Sequence, residues 1–152
     1  MGEDKSLINS NVYRLAVEMK SSGCERIIVM CGTPERAELF ELECVSDYAE
    51  SLGESLFELV SELKGIIQLA PCDAYLADSG LFSRITGVPV DDNGTRQPLL
   101  ANFNSSELIV KSARISKMFE KFPSCEGGIK ARNTNTPDEF KEIQRFLKQE
   151  DL

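Results

Sequence analysis

Gly65-Ile66-Ile67-Gln68-Leu69-Ala70-Pro71-Cys72-Asp73 is the stretch from which the fold class follows. The run from Gly65 to Ala70 shows no polar alternation and is interrupted only by Gln68, which suits a buried strand. Pro71 ends it, since proline has no N–H for a sheet ladder. Upstream, Arg26-Ile27-Ile28-Val29-Met30-Cys31 has the same character, as expected of a strand covered on both faces in a parallel sheet. Parallel strands need crossover connections, so the segments between them should be helical.

The intervening sequence meets that requirement. Asn9 or Ser10 can cap a helix with Val12, Leu15, Ala16 and Met19 on the 3.6-residue period, ending at Gly23. Thr33 and Pro34 start a short helix, and Cys44-Val45-Ser46 reads as a strand ending at Asp47. Ser51–Leu63 sets Leu52, Leu56, Leu59, Val60 and Leu63 on one stripe, and Asp78 can cap a helix through Ile85. Asp91-Asp92-Asn93-Gly94 is a turn, read as a hairpin tip between Val88–Val90 and a strand near Pro98–Phe103. Ser105 or Ser106 opens a helix to about Lys121. Gly127-Gly128 then breaks the chain before a short strand at Ile129–Ala131. Thr136-Pro137-Asp138-Glu139 is a capping box that opens a terminal helix through Leu147. The expected fold is α/β, a mostly parallel sheet with helices on both faces and one antiparallel strand. Without repeats or low-complexity blocks, residues 1–152 read as a single domain.

Composition narrows the chemistry. Among 152 residues, 17 basic and 25 acidic side chains give a net charge of −8, with no histidine. An acidic chain is a poor sequence-independent binder of nucleic acid, and no partner of that kind is expected. Lys111, Arg114, Lys117 and Lys121 form the one mild basic cluster, at helical spacing, which reads as a solvated helix face. Zero histidine removes imidazole bases, Ser/His and Cys/His nucleophilic pairs and His-rich zinc sites. No apolar run approaches the roughly 20 residues of a membrane helix, and no signal peptide is visible at Met1-Gly2-Glu3-Asp4-Lys5. Cys24, Cys31, Cys44, Cys72 and Cys125 are odd in number and contain no CxxC, as expected of structural thiols in a reducing cytoplasm.

What remains is carboxylate, lysine, backbone and bound-cation chemistry. Ligands of open α/β sheets bind beyond the carboxyl ends of the strands. Asp47 and Asp73 both follow strand ends there, where a carboxylate can hold Mg²⁺ completed by waters and substrate phosphates. Lys5, preceded by Gly2, is a candidate for neutralising phosphate charge. Neither GxGxxG nor GxxxxGK occurs.

Several segments, in order, resemble the molybdenum cofactor guanylyltransferases within the wider nucleotidyltransferase group. Met1-Gly2-Glu3-Asp4-Lys5 is similar to the tail of the family's opening LAGGxSxRMGxDK. Val45-Ser46-Asp47 followed by Gly53 is similar to the acidic residue ahead of its GPLxGL segment. Pro71-Cys72-Asp73-Ala74-Tyr75-Leu76 resembles PCDxPxL, and Arg96-Gln97-Pro98-Leu99-Leu100 resembles its QPL segment. Asn133-Thr134-Asn135-Thr136-Pro137, followed by Asp138 and Glu139, resembles NxNTPED.

The resemblance implies a Rossmann-like nucleotidyltransferase fold. It also implies transfer of GMP from GTP to a molybdopterin phosphate with Mg²⁺ and release of pyrophosphate, so GTP and molybdopterin are the implied partners. Lys5 and Asp73 would be catalytic. Gly2, Lys5, Asp47 and Asp73 would bind the nucleotide, and Asp73 would ligate the metal. Such chemistry rests on positioning and charge neutralisation and needs no histidine.

The family's LAGGxSxR strand and turn do not occur within residues 1–152, so the sheet is expected to lack that first strand and to show a gap there. Two expectations follow, an N-terminal extension or a chain truncated inside the motif. Gly32 stands where the family often has a base-contacting asparagine, and Glu54-Ser55 replace the GPL proline, leaving the selected base open. Alternatives are a guanylyltransferase acting on adenosylcobinamide phosphate, another nucleotidyltransferase, or a non-catalytic nucleotide-binding relative. The oligomeric state is left open.

Overall fold

Helix α1 (Gly2–Ser21) leads to strand β1 (Ile28–Met30), which pairs in parallel with β2 (Glu43–Val45). Helix α2 (Leu52–Ser61), β3 (Ile66–Gln68), helix α3 (Ser79–Arg84) and β4 (Val88–Asp91) follow. Strand β5 (Asn102–Asn104), helix α4 (Ile115–Met118) and β6 (Ser124–Gly128) complete the order. This computed structural model describes residues 2–30, 42–45 and 51–132, with residues 2–10 described by backbone alone. Strand β5 runs antiparallel to β3, and β4 pairs in parallel with β6. Reciprocal hydrogen bonds of 2.7 and 2.9 Å between Gly87 and Asn102 join β5 to the start of β4. The ladder is therefore β3-β5-β4-β6, with β3, β4 and β6 pointing one way and β5 the antiparallel member. Among the described residues no strand pairing joins this ladder to β1 and β2.

Two buried clusters form the core. Leu15 of α1 packs with Leu81, Phe82 and Ile85 around α3, and with Ala74, Ala77, Leu100 and Ala131. Leu56 and Val60 of α2 pack with Val88, Phe103, Leu108, Met118 and Phe119, joined by half-buried Met30 and Ile67. The rings of Phe103, Phe119 and Phe122 meet edge to face at 4.9–5.5 Å, a favoured arrangement for aromatic quadrupoles. The Asp78 cap read from the sequence is present, and Ser51 caps α2 in the same way. Ser51 accepts from the N–H of Glu54 at 3.2 Å, and Asp78 accepts from that of Leu81 at 2.9 Å.

Several expectations need correction. Helix α1 begins at Gly2, not at Asn9 or Ser10. In the sequence, Ile8 extends the apolar period back by a turn. Strand β3 is not covered throughout, because Ile66 is 68% exposed. Its polar interruption has a local cause: the Gln68 amide donates to the Leu69 and Leu100 carbonyls at 2.8 and 3.0 Å and accepts from Asn102 at 3.0 Å. The turn after β4 forms, with Asp91 Oδ1 accepting from the N–H groups of Asn93 and Thr95 at 2.9 and 3.0 Å. Beside the turn, the returning chain pairs with β4 through a bridge between Arg96 and Val90. It then enters a 3₁₀ turn at Pro98–Leu100 and delivers β5 to β3. Gly127 and Gly128 lie inside β6, and Ile129–Ala131 is a 3₁₀ turn, not a strand. A Cβ on Gly127 would meet the Cβ atoms of Ala131 and Pro89 at 2.6 and 2.9 Å, so glycine here permits a close approach.

The helix expected from Ser105 or Ser106 to Lys121 is also absent. A 3₁₀ turn at Ser105–Glu107 is followed by irregular chain, and only Ile115–Met118 is α-helical. Lys111, Arg114, Lys117 and Lys121 therefore share no helical face. Ile109 and Val110 are β-branched and disfavour helix, and Leu108 is buried. The backbone at Ser112 and Ala113 presses on α2: a Cβ on Gly53 would sit 2.2 Å from the Ser112 carbonyl oxygen. The Thr33–Pro34 helix, Cys31, Asp47 and the terminal helix through Leu147 lie outside the described residues. Gly53→Ala is expected to destabilise the protein by about 1–3 kcal/mol in urea titration, the range for overpacking. Unchanged stability would contradict this close approach.

Candidate functional site

The site is built on the loop that follows β3. The Ala74 N–H donates to the Pro71 carbonyl at 3.1 Å and that of Tyr75 to the Asp73 carbonyl at 3.0 Å, so the chain turns at once. Helix α1 pins this turn from outside. Asn11 donates to the Cys72 carbonyl at 2.8 Å, while Arg14 donates to the carbonyls of Ala77 and Ala74 at 2.7 and 2.9 Å. The third guanidinium donor reaches Asn11 Oδ1 at 2.8 Å, locking the two side chains together. Burial lowers the Arg14 pKa, against the opposing charges of Glu18 and Asp78, but far too little for arginine to lose its proton. Ala74, Leu76 and Ala77 are buried beneath the loop.

Asp73 sits half-buried on this pinned turn. Burial pushes its carboxyl above the ordinary range, and its own backbone N–H pulls weakly the other way. The neighbouring carboxylates differ. Asp78 forms an ion pair with Lys130; burial pushes its pKa up, but the bonds from Lys130 and the Leu81 N–H, with the Lys130 and Arg84 charges, bring it down overall. Asp92 is held by the Arg132 fork at 2.6 and 2.7 Å, a bidentate pair that lowers its pKa. Asp91 is occupied by its turn and by Gln97, which donates at 3.0 Å. Among the described residues, Asp73 is paired with no cation. These pairs join the segments after β3, β4 and β6, so the carboxyl ends of three parallel strands form one edge.

Of the residues singled out in the sequence, Asp73 alone has a described side chain. Gly2 and Lys5 lie in the first turns of α1, where only the backbone is described, and Asp47 lies outside the described residues. Asn11 and Arg14 were not singled out from the sequence. Their available signal is two polar residues, three apart, beside the buried positions Leu15 and Ala16. Among the described residues no group of three or more Cys, Asp or Glu side chains gathers to hold a metal.

No family model matches the sequence, and no curated protein matches it. Solved structures do. A protein from Aquifex aeolicus VF5 superposes with a TM-score of 0.65 at 17% identity, over 90% of this chain and 86% of that one. The molybdopterin-guanine dinucleotide biosynthesis protein A of Archaeoglobus fulgidus superposes with a TM-score of 0.58 at 16% identity, over 80% of this chain and 78% of that one. The chain shares the mixed α/β fold of these structures. At these identities the likeness is one of fold. Among the described residues no helix is long and apolar enough to cross a membrane.

Two measurements test the site as built. A carboxyl whose folded pKa is raised binds its proton more tightly in the folded state, so its ionisation costs stability as pH rises above the ordinary Asp range. Asp73→Asn should therefore raise Tm at pH 7, and the gain should vanish as pH falls to where both states are protonated. A lower Tm at pH 7 would contradict the burial of Asp73. Arg14→Met should cost about 1–3 kcal/mol in denaturant titration, because it strands the Ala74 and Ala77 carbonyls.

Proposed function

We propose that the chain is a nucleotidyltransferase that moves GMP from GTP to a molybdopterin phosphate, releasing pyrophosphate. The carrying observation is Asp73: a half-buried carboxylate without a cationic partner among the described residues, held rigidly beyond a parallel strand of the mixed α/β fold. In this reading Asp73 holds Mg²⁺, Lys5 and Gly2 bind the nucleotide phosphates, and Asp47 binds the nucleotide. The metal would neutralise phosphate charge. Asn11 and Arg14 fix the position of Asp73, so its carboxylate loses little freedom on engaging the cation. Desolvation of Asp73 further strengthens its attraction to a divalent ion. The distant likeness to the Archaeoglobus fulgidus protein supports molybdopterin over another acceptor.

A second reading, a nucleotide-binding relative without catalysis, is favoured by one observation. Gly2 and Lys5, similar in sequence to the end of a phosphate-binding loop, lie in a helix. Pyrophosphate release from GTP with Mg²⁺ and molybdopterin separates the readings, assayed on this chain and on the chain preceded by a LAGGxSxR segment. Turnover that Asp73→Asn lowers at least about 100-fold, with folding retained, is the expected result. GTP binding without turnover in either form would favour the second reading, and neither binding nor turnover would overturn both.

A further inference from the structure

The opposite end of the sheet carries a surface the proposed reaction does not use. Asn104 of β5 lies opposite Ile66 at the start of β3, and Ser124 of β6 lies opposite Val88 at the start of β4. Residues 105–123 therefore cover the amino ends of the parallel strands, whereas Asp73 lies beyond a carboxyl end. Here a groove of about 460 Å³ is lined by Ile109, Val110, Lys117, Met118, Lys121 and Phe122, among others. Its wall is braced. Arg96 donates to the carbonyls of Phe119 and Phe122 at 2.8 and 3.0 Å, two of the three phenylalanines whose rings meet edge to face.

Three features of the groove converge. Ile109 is 80% exposed and Val110 41%, two adjacent β-branched side chains in water. Among the described residues, the backbone groups of Ile109, Val110 and Lys111 make no hydrogen bond. Lys117 and Lys121 make no ion pair there, while Lys111 reaches Glu58 at 3.4 Å on the surface. Glu107 is engaged with the Asn104 N–H, leaving Glu120 as the opposing charge. A locally basic, apolar groove thus sits in a chain of net charge −8.

The geometry points to this groove as a docking surface for an acidic, apolar segment of a partner protein, added in extended form along Ile109–Lys111. Unpaired backbone supplies strand-like hydrogen bonds, the groove takes alternate apolar side chains, and Lys117 and Lys121 meet carboxylates. Charge complementarity selects this occupant. A nucleic acid or an anionic bilayer brings a dense array of negative charge that the whole acidic chain repels, as does a second copy. A short segment with a few carboxylates meets only the local field, within a Debye length of about 8 Å.

The test is a ¹⁵N-edited NMR titration of the full chain with a capped heptapeptide alternating Asp or Glu with Val or Ile. A peptide with Lys at the acidic positions serves as control. Saturable shifts confined to residues 105–123 are expected from the acidic peptide alone. The pair Lys117→Glu and Lys121→Glu should weaken binding at least about fivefold, with unshifted spectra elsewhere reporting an intact fold. If that pair does not fold, the Lys→Gln pair should weaken binding at least about twofold. Ile109→Asp should weaken binding through lost apolar contact. The inference is overturned by absence of saturable shifts, or by shifts the lysine variants leave unchanged. Equal response to phosphatidylglycerol vesicles or single-stranded DNA, or peptide-independent shifts growing with protein concentration, would also overturn it.

Discussion

The candidate site depends on one contact, the Arg14 fork from α1 onto the carbonyls of Ala74 and Ala77. The loop after β3 turns away from the ladder immediately, so its carbonyls find no partner in the sheet. A charged donor meets two of them, and Asn11 meets a third at Cys72. Hydrogen bonds from charged groups each contribute about 1.5–3 kcal/mol, enough to offset part of the cost of half-burying a guanidinium. The same helix gives Leu15 to the core. Helix α1 thus packs and positions at once, and the loop has little freedom to reorient Asp73.

Around that turn the charges divide their work. Asp78 with Lys130 and Asp92 with Arg132 tie together segments from three strands, and Asp91 shapes its own turn. Each has what it needs within the protein. Asp73 does not: desolvated and without a cation among the described residues, it carries a cost that a ligand can relieve. In the reading proposed above, Asp73 offers the carboxyl edge to a cation, and the proposed docking groove offers the amino edge to an acidic segment. The two surfaces lie at opposite ends of the sheet and make independent demands on the sequence.

Much of this was legible before the structure. Strands β1, β2, β3 and β4, the Asp78 cap and the Asp91 turn all carry local chemistry, and each was read from it. The turn that carries Asp73 was legible because Pro71 ends a strand just before it. The long helix at 105–121 was misread because its breaking is tertiary: Gly53 admits the backbone of Ser112, and no local residue announces that contact. Gly127 looked like a break for a similar reason, being needed for close approach to Pro89 and Ala131. Arg14 was missed because a surface arginine and a carbonyl clamp look identical in sequence.

Manganese binding measured by electron paramagnetic resonance, with Mn²⁺ standing in for Mg²⁺, tests the central claim most directly. In the presence of GTP, bound Mn²⁺ should be lost in Asp73→Asn and weakened in Arg14→Met, with circular dichroism unchanged in both. Undiminished Mn²⁺ binding by folded Asp73→Asn would contradict the assignment of Asp73 as the cation ligand.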